Sequence, residues 1–542
     1  MLTEEIAQAL KRTAQLMELY DENPFKIKSV ANAAFKLNKT DIDLRGKTLQ
    51  ELEKIDGIGK SIAAKIIELQ TTGTLKELED LTNKTPEGVI DMLGIKGIGP
   101  KKVGQLWREL EIESIGELLY ACNENRLITL KGFGAKTQAE VKKQIEFHES
   151  NRGKFHYAAV EKFADNLVQI LKKKYNTEFV SLTGAIRRKC EIIETIELLI
   201  ASDKTVDIED IENRANIKIE LITCAEKEFY NKLFETTAKE EHLRNAGFQP
   251  VLLQQTDYKS VLHAESEIYK SLDLQYIEPE LREGLNEVEL AKENKIPKLI
   301  EVTDLKGILH NHSTYSDGQN TLKEMAEYCK ELGYEYLGIC DHSQSAFYAQ
   351  GLKPERVLEQ HTEIDELNKK LFPFKIFKGI ESDILNNGSL DYTDDILKTF
   401  DFVVASVHSN LKMNEEKATE RLIKAIENPY TTILGHPTAR LLLSRPGYPI
   451  NHKKVIDACA VNGVIIELNA HPYRLDIDWR WIPYCLEKGV KISINPDAHE
   501  KQGYHDMYYG TCVARKGMLT KEMCFNTMSL AEITAYFEKR KK

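Results

Sequence analysis

Apolar and polar positions follow three different patterns along this chain, and each pattern predicts different elements. In the first third, amphipathic helical stretches alternate with short glycine-containing turns. After Tyr157 a long amphipathic stretch leads into strand-like segments, which predicts a mixed α+β region. From Leu305 onward, short apolar runs alternate with helical stretches of roughly 10–15 residues, the spacing of parallel βα units. The chain is therefore expected to hold several domains.

Length and composition agree with a folded multidomain protein. A single hydrophobic core rarely serves a chain of 542 residues. Hydrophobic residues make up 42% and charged residues 29%, as in globular proteins. The sequence has no apolar run of about 20 residues and no signal-peptide pattern. Its nine cysteines are scattered and favour reduced thiols. We therefore expect a cytoplasmic protein that does not enter the membrane.

A hydrophobic-Gly-hydrophobic-Gly pattern recurs three times, at 55–60, 95–101 and 130–136. The glycines permit positive φ and close approach of a ligand, and the following helix begins with free N–H groups that can hold a phosphate. One copy alone could be a tight helix–helix turn. The three copies resemble helix-hairpin-helix motifs, which hold the DNA backbone without reading its sequence. The predicted DNA-binding residues are Gly57, Gly59, Lys60, Gly97, Gly99, Lys101, Gly132, Gly134 and Lys136.

The charge balance limits how the chain could hold nucleic acid. A net charge of −11 argues against binding by bulk charge. Residues 1–150 are nearly neutral, however, with lysines at the glycine-rich turns. Any DNA contact in this region is therefore expected to be local and independent of sequence.

Residues 23–37 and 57–81 together resemble the small N-terminal lyase domain of family X DNA polymerases. In that family a lysine one turn into the helix after the first hairpin forms a Schiff base with an abasic sugar. Lys65 occupies the matching position. An amine does this chemistry only if burial or neighbouring cations lower its pKa. The alternative is an ordinary exposed helical lysine.

The middle of the chain resembles the family X palm, where a Gly-Ser-x-Arg-Arg turn precedes a strand bearing Asp-x-Asp. Two carboxylates at i and i+2 share one strand face and, with a third on the next strand, hold two magnesium ions. Three turn residues are kept and four positions differ: Gly184, Arg187 and Arg188 are kept, and Ala185, Thr195, Glu197 and Glu220 depart from the pattern. Threonine carries no charge, and glutamate is one methylene too long for a site shaped for aspartate. We predict a palm that folds, holds no magnesium and does not synthesise DNA.

Seven predicted strands in the C-terminal half nearly all end in His, Asp or Glu. The C-terminal strand ends of a βα barrel converge on one face, where side chains distant in sequence meet. Imidazole and carboxylate groups are the ligands of borderline transition metals. Core or surface histidines would explain one or two such positions and not the whole set. The predicted metal ligands are His310, His312, Asp317, His342, Glu381, His408, His436, Asp497 and His499.

The segments HNHSTYSDG, CDHS, GIESDIL, SVHS, GHP and PDAH resemble the polymerase and histidinol phosphatase (PHP) superfamily. The resemblance implies three divalent ions, manganese or zinc. One would be held by His310, His312, Glu381 and Asp497, a second by Glu381, His408 and His436, and the third by Asp317, His342 and His499. Arg474 is a candidate for orienting a substrate phosphate, with a structural pairing to Asp476 as the alternative. His471 is expected at the rim.

The order of these regions resembles bacterial family X DNA polymerases along the whole chain. The expected fold is an all-α helix-hairpin-helix N-terminal region, an α+β nucleotidyltransferase-like palm and a distorted (β/α)7 barrel of PHP type. The predicted boundaries are 1–85 for the lyase-like domain, 86–150 for helix-hairpin-helix fingers, 151–245 for the degenerate palm, 246–300 for a thumb remnant and linker, and 301–542 for the PHP domain.

These features predict a bacterial DNA repair enzyme that works at the nucleoid as a monomer. The PHP domain would act as a metal-dependent phosphoesterase and 3′–5′ exonuclease on gapped, nicked or 3′-recessed DNA. Three alternatives stay open. The chain could be a gap-filling polymerase with a PHP proofreading domain, a DNA-binding scaffold without turnover, or a small-molecule phosphatase of the histidinol phosphate type.

Overall fold

A computed structural model describes residues 3–39, 42, 44–55, 57–95, 97–149, 153–203, 205–208, 217–244 and 262–540. The chain divides into two compact units, Met1–His148 and Glu149–Lys542. Asp56 and Lys96 of the predicted hairpins lie outside the described residues, as do residues 246–261 of the predicted thumb remnant.

The first unit is helical throughout its described part. Its helices span Thr3–Leu19, Pro24–Lys39, Leu49–Leu52, Lys60–Thr72, Lys76–Asn83, Glu87–Met92, Pro100–Leu110, Ile115–Asn123 and Ala135–Glu149, the last of which ends at the unit boundary. Buried apolar side chains such as Ile62, Ile66 and Leu69 recur at helical spacing, so each helix turns one face inward. This agrees with the helical region expected from the sequence.

The second unit begins with a small mixed region. The helix Tyr157–Tyr175 packs beside strands β1 (Phe155–His156), β2 (Val180–Leu182), β3 (Ile192–Ile193), β4 (Thr195–Ala201) and β5 (Lys218–Cys224). β2, β4 and β5 form one sheet in the order β2-β4-β5, with β4 and β5 parallel, and β1 pairs with β3. Short helices follow at Gly184–Arg187, Phe229–Thr237, Glu240–Arg244, Ser266–Ser271 and Glu287–Lys292.

A seven-stranded parallel sheet dominates the rest of the second unit. Its strands are β6 (Gly307–Ile308), β7 (Tyr336–Ile339), β8 (Lys375–Asp383), β9 (Phe402–Ser406), β10 (Ile433–Leu434), β11 (Ile465–Asn469) and β12 (Ile492–Asn495), in sequential order. Their helices are Leu322–Glu331, Pro354–Leu371, Asp394–Leu397, Glu415–Ile426, His452–Asn462, Ile482–Glu487, Met507–Lys516 and Leu530–Arg540.

The sheet curls into a nearly closed barrel. Asn311, just after β6, bridges in parallel to Ala498, just after β12. The His312 N–H donates to the Ala498 carbonyl at 2.8 Å, and the Asp497 N–H donates to the His310 carbonyl at 3.1 Å. The distorted (β/α)7 barrel expected from the sequence is therefore confirmed.

The first strand is shorter than the run KGILHNH predicts. β6 ends at Ile308, so His310 and His312 lie in an extended segment beyond it and not within a strand. Beyond the strand, the Asn311 side-chain amide donates to the Gly338 carbonyl of β7 at 2.7 Å, and the Cys340 N–H donates to the Asn311 carbonyl at 2.9 Å. The two histidines nevertheless stay close, with ring centroids 5.4 Å apart.

Apolar side chains fill much of the barrel interior. One buried cluster combines strand residues with the C-terminal segment: Leu309, Tyr336, Cys340, Phe377, Phe402, Val404, Ile433, Ile465, Phe525, Ile533 and Phe537. Phe402 stacks on Phe537 with ring centroids 5.1 Å apart. Alternate strand residues such as Ile376 and Val403 belong to a second cluster that packs against the helices. The barrel is therefore a packed core and not an open channel.

Candidate metal centre

The nine predicted ligands gather at the C-terminal ends of the strands. Glu381 lies on β8, and the others follow β6, β7, β9, β10 and β12 within a few residues, except Asp317, which lies in the turn after His312. All nine side chains are buried or nearly so. Because parallel strands share one direction, residues separated by up to about 190 positions meet in one pocket.

Three groups of ligand atoms lie close enough to hold an ion each. Atoms within a group lie within 4.8 Å of one another, and the groups are His310, His312, Glu381 and Asp497; His312, Asp317, His342 and His499; and His342, Glu381 and His408. The first matches the expected set. The second adds His312 to its expected set, and the third has His342 where His436 was expected.

His436 lies next to the third group. Its Nε2 atom is 3.0 Å from Glu381 Oε1, and His408 Nε2 is 3.1 Å from the same oxygen. Glu381 thus lies between the first and third groups: its Oε1 is also 3.3 Å from His310 Nε2. This is the position from which one carboxylate can bridge two ions.

The donor atoms fit divalent metal ions. His310 Nε2, Asp317 Oδ2 and Glu381 Oε2 are buried and make no hydrogen bond within the described part of the chain. Buried polar atoms almost always have such a partner, so several exceptions in one pocket indicate a cation partner. Imidazole nitrogens mixed with carboxylate oxygens suit zinc or manganese.

Charge coupling within the pocket is strong. Burial disfavours the charged form of His408, yet Glu381 and Asp383 raise its pKa to about 10. Burial likewise opposes ionisation of Glu381, but His408, His310 and His342 hold its pKa well below the ordinary value. The carboxylates are thus stabilised by positive charge, and protons and metal ions compete for the same atoms.

A second layer of polar residues orients the candidate ligands. Glu467 accepts from His310 Nδ1 at 2.7 Å and from the His436 backbone N–H at 2.7 Å. Asp383 pairs with His408 Nδ1. The Asn469 amide donates to Asp497 Oδ2 at 3.0 Å. Such partners set the ring orientation and basicity of histidine ligands.

These second-layer residues were not among the site residues predicted from the sequence. A signal for one of them is present, because Glu467 is an acidic residue inside the apolar run GVIIELN, where a charge needs a buried partner. Asp383 follows Glu381 by two residues on β8 and so shares its strand face.

Arg474 lies inside the pocket. Its side chain is buried, and its Nε atom is 4.0 Å from Asp497 Oδ2. Asp476, the alternative partner, accepts from the backbone N–H and hydroxyl of Thr438, both at 2.9 Å. His471 is half-buried and receives a hydrogen bond from the Tyr473 N–H on Nδ1 at 3.2 Å.

The palm positions have a different environment. Gly184 has φ +62°, and the next N–H, of Ala185, donates to Glu197 Oε2 at 3.0 Å. Glu220 lies beside Glu197 across β4 and β5 and pairs with Lys218 at 3.5 Å. Thr195 begins β4. The charged groups of this region therefore have partners within the chain.

The turn arginines are also paired. Arg187 donates to both carboxylate oxygens of Glu265, at 3.0 and 2.5 Å. Arg282 donates to the same carboxylate at 2.6 Å. Arg188 lies 3.2 Å from Glu283 Oε1, which also receives the Lys516 ammonium at 2.6 Å.

The three hairpins share one backbone geometry. The first glycines, Gly57, Gly97 and Gly132, have φ of +86°, +99° and +87°. Each second glycine immediately precedes a helix, and the apolar residue between the two glycines is buried. All six glycines are exposed, as are Lys60, Lys101 and Lys136. The helix N-termini are thus open to a phosphate.

Lys65 lies one turn into the helix Lys60–Thr72, as expected. Its ammonium is paired with Glu77, which Lys26 also contacts at 2.5 Å. Use of this amine as a nucleophile would require the ion pair to open. Its lyase role stays a prediction.

Helix-hairpin-helix turns in one unit and a parallel βα barrel with a candidate metal centre in the other define a class of multidomain proteins that combine these two modules. Family models agree: a helix-hairpin-helix domain matches residues 1–75, a SAM-like helix-hairpin-helix tandem matches 89–146, and a PHP domain matches 309–471. A Bacillus subtilis protein named DNA polymerase/3′-5′ exonuclease PolX is 32% identical over 99% of this chain and 100% of its own length. The chain belongs to the bacterial family X DNA polymerases with helix-hairpin-helix domains and a C-terminal PHP domain.

Other similar proteins match a smaller share of the chain. A probable phosphatase of Acetivibrio thermocellus is 29% identical over 35% of this chain and 78% of its own length. The crystal structure of a histidinol phosphate phosphatase from Lactococcus lactis with zinc, L-histidinol and phosphate covers 39% of this chain and 93% of its own, with 16% identity and a TM-score of 0.32. None of the described helices combines the length and apolar character needed to cross a bilayer.

Proposed function

We propose that this chain is a metal-dependent 3′–5′ exonuclease that hydrolyses phosphodiester bonds at DNA ends in the PHP pocket. The observation that carries the proposal is the convergence of buried imidazole and carboxylate side chains in one pocket. Three of their atoms, His310 Nε2, Asp317 Oδ2 and Glu381 Oε2, make no hydrogen bond within the described part of the chain. We propose that the nine ligands hold three manganese or zinc ions. The exonuclease named in the Bacillus subtilis relative supports a DNA substrate over a small phosphate ester.

The chain's own residues have distinct tasks in this reaction. Divalent ions in such a pocket lower the pKa of water and offset charge on phosphate oxygens. Arg474 is placed to bind a phosphate oxygen, because its guanidinium lies beside Asp497 in a buried pocket. Glu467 and Asp383 hold the His310 and His408 rings in the orientation that ligation needs.

DNA affinity comes from the hairpins in this proposal. Three exposed glycine turns, each followed by a helix N-terminus and a lysine, can hold backbone phosphates without reading bases. Gapped, nicked and 3′-recessed DNA are the proposed partners. A histidinol-type phosphatase would have no use for these turns.

We further propose that the palm does not synthesise DNA. Glu197 already accepts the Ala185 N–H, at the turn where family members bind phosphate, and its negative charge would repel a nucleotide there. Arg187 is held by Glu265, and Thr195 offers no charge to a magnesium ion. A gap-filling polymerase is the second candidate, because the relative's name includes that activity and the palm sheet is kept.

The exonuclease proposal is tested with a 5′-labelled primer–template, manganese and no nucleotides. The wild type should shorten the primer one nucleotide at a time, and a chelator should stop it. His342→Ala should lose at least about a hundredfold in rate, since it removes a ligand shared by two groups. His452→Ala is the matched control, because His452 stacks on Trp481 and belongs to none of the three groups. Equal shortening by His342→Ala would overturn the proposal.

A further inference from the structure

An exposed aromatic side chain lies at the edge of the metal pocket. Phe347 is in the loop between β7 and the helix Pro354–Leu371, five residues after the ligand His342. Its side chain is 82% exposed. Single exposed aromatic residues are common, so exposure alone indicates no partner. The feature that distinguishes Phe347 is its place beside the candidate metal pocket.

The loop that carries Phe347 is held firmly to the metal centre. The Leu352 N–H donates to the His342 carbonyl at 2.8 Å. The Ser345 hydroxyl donates to Asp383 at 2.7 Å, and Asp383 in turn pairs with His408. Gly351 permits the tight turn, because a Cβ there would lie 1.9 Å from the Ser343 carbonyl oxygen. The loop backbone that carries the ring is thus tied to two candidate ligands, His342 and His408.

One aromatic ring separates Phe347 from the pocket. The Tyr348 ring lies 6.3 Å from the His342 imidazole, and the Phe347 ring lies 6.2 Å from Tyr348, centroid to centroid. The base of a nucleotide is separated from its 5′ phosphate by one sugar. A terminal nucleotide whose 5′ phosphate enters the metal centre therefore has its base within reach of this rim.

We propose that Phe347 is a stacking platform for the base of the 3′-terminal nucleotide. The inference rests on the proposed exonuclease function and names the chemistry that the rim recognises: an unpaired base in single-stranded DNA. Stacking on a phenyl ring is open to every base, since each has a π face, and one such contact is worth about tenfold in binding. A base inside a duplex keeps its faces stacked on its neighbours, so the end must be unpaired to use the ring.

The test is a double-mutant cycle between Phe347 and the terminal base, made with the full chain and manganese. The initial rate of shortening is measured on single strands that end in a normal nucleotide or in a tetrahydrofuran abasic residue. Phe347→Ala should lower kcat/KM about tenfold on the normal end, and the difference from wild type should shrink below twofold on the abasic end. Phe347→Trp should restore the rate on the normal end.

Phe372→Ala is the matched control. Phe372 is 81% exposed and precedes β8, so it lies at the end of the barrel opposite the metal centre. Its rates should equal those of the wild type on both ends. Hydrolysis of bis(4-nitrophenyl) phosphate, which has no base, monitors the metal centre in every variant.

The possible outcomes distinguish failure of the stacking role from failure of the proposed exonuclease function. Equal loss on normal and abasic ends, no loss on either, or a parallel loss on bis(4-nitrophenyl) phosphate would each overturn the stacking role and leave the exonuclease standing. A wild type that hydrolyses bis(4-nitrophenyl) phosphate but shortens no DNA would overturn the proposed function, and the stacking role with it.

Discussion

The palm and the PHP barrel both place acidic side chains on parallel strands, yet the groups that surround these carboxylates differ. In the palm, Glu197 is satisfied by a backbone N–H and Glu220 by Lys218. In the barrel, Glu381 is buried and lies within 4.0 Å of five imidazoles. Acidic residues alone do not indicate a metal site. A metal site also needs several imidazole and carboxylate donors that converge in one buried pocket.

The acidic side chains of the two regions also differ in burial. Glu220 is exposed on the last strand of a three-stranded sheet, where water can screen its charge. Glu381 is buried near the C-terminal end of β8 in the nearly closed barrel, where a charge without a partner is costly. A cation would therefore stabilise the buried carboxylates of the barrel. The palm carboxylates are already stabilised by groups of the protein itself.

The largest expected effect comes from exchanging one carboxylate in each region. Glu381→Gln should lower the exonuclease rate by at least about a hundredfold, because it removes the charge that lies between two ligand groups. Glu197→Gln in the palm should leave that rate within twofold of wild type. Circular dichroism should show that both variants fold. A similar loss in both would contradict the contrast between the two regions.

A smaller loss of activity is expected from a residue that contacts a candidate ligand but is not itself a candidate ligand. Glu467→Gln weakens the acceptor of His310 Nδ1 and should reduce manganese affinity or the exonuclease rate by about 10–100-fold. Glu487→Gln, at an exposed position of the same barrel, is the control and should behave as wild type. Metal titration followed by activity distinguishes the two. An unchanged titration curve in Glu467→Gln would show that the second layer does not tune the centre.

Arginines of the two regions are expected to differ in their effect on substrate binding. Arg474→Lys keeps a positive charge but loses the planar fork that binds two phosphate oxygens, and about a tenfold rise in KM is expected. Arg187→Lys, the equivalent change in the palm, should leave the exonuclease KM unchanged because Arg187 is held by Glu265. Initial rates over a range of DNA concentrations measure both. A fall in kcat alone for Arg474→Lys would assign the guanidinium a different task.

The smallest expected effect concerns the junction of palm and barrel. His156 in β1 packs on Tyr473 of the barrel and lies 3.2 Å from the Leu442 carbonyl. Burial lowers its pKa to about 4 from 6.5. The unfolded chain therefore binds more protons than the folded chain between these values, and stability falls as pH drops through that window.

His156→Phe removes this proton uptake. Between pH 6.5 and 5 the wild type should lose about 1.5 kcal/mol more unfolding free energy than the variant. Denaturant melts at the two pH values measure the difference. Parallel losses in the two proteins would show that His156 is not buried in solution as it is in the structure.

Much of this molecule could be predicted from sequence, because its signals are local or periodic. Positive φ at the first glycine of each hairpin follows from the Gly-x-Gly spacing. The convergence of the nine candidate ligands could be expected because parallel strands bring their C-terminal ends together. The palm residues Glu197 and Glu220 were placed on neighbouring strands, and they pair directly in register.

The features that could not be predicted depend on long-range packing. Glu467 approaches His310 across the barrel, 157 positions away in sequence, and no local pattern encodes that pairing. The grouping of His342 with Glu381 and His408 depends on side-chain directions in the pocket. Phe347 is one more apolar residue in a loop until the structure shows it exposed beside His342.

The most direct test of the central claim is one reaction with a 5′-labelled primer–template, manganese and magnesium, and all four nucleotides, run with wild type and His342→Ala and resolved by product length. We expect the wild type to shorten the primer, His342→Ala to leave its length unchanged, and neither protein to extend it. Extension of the primer by His342→Ala would refute the proposed function, because it would show a palm that synthesises DNA without its expected aspartates.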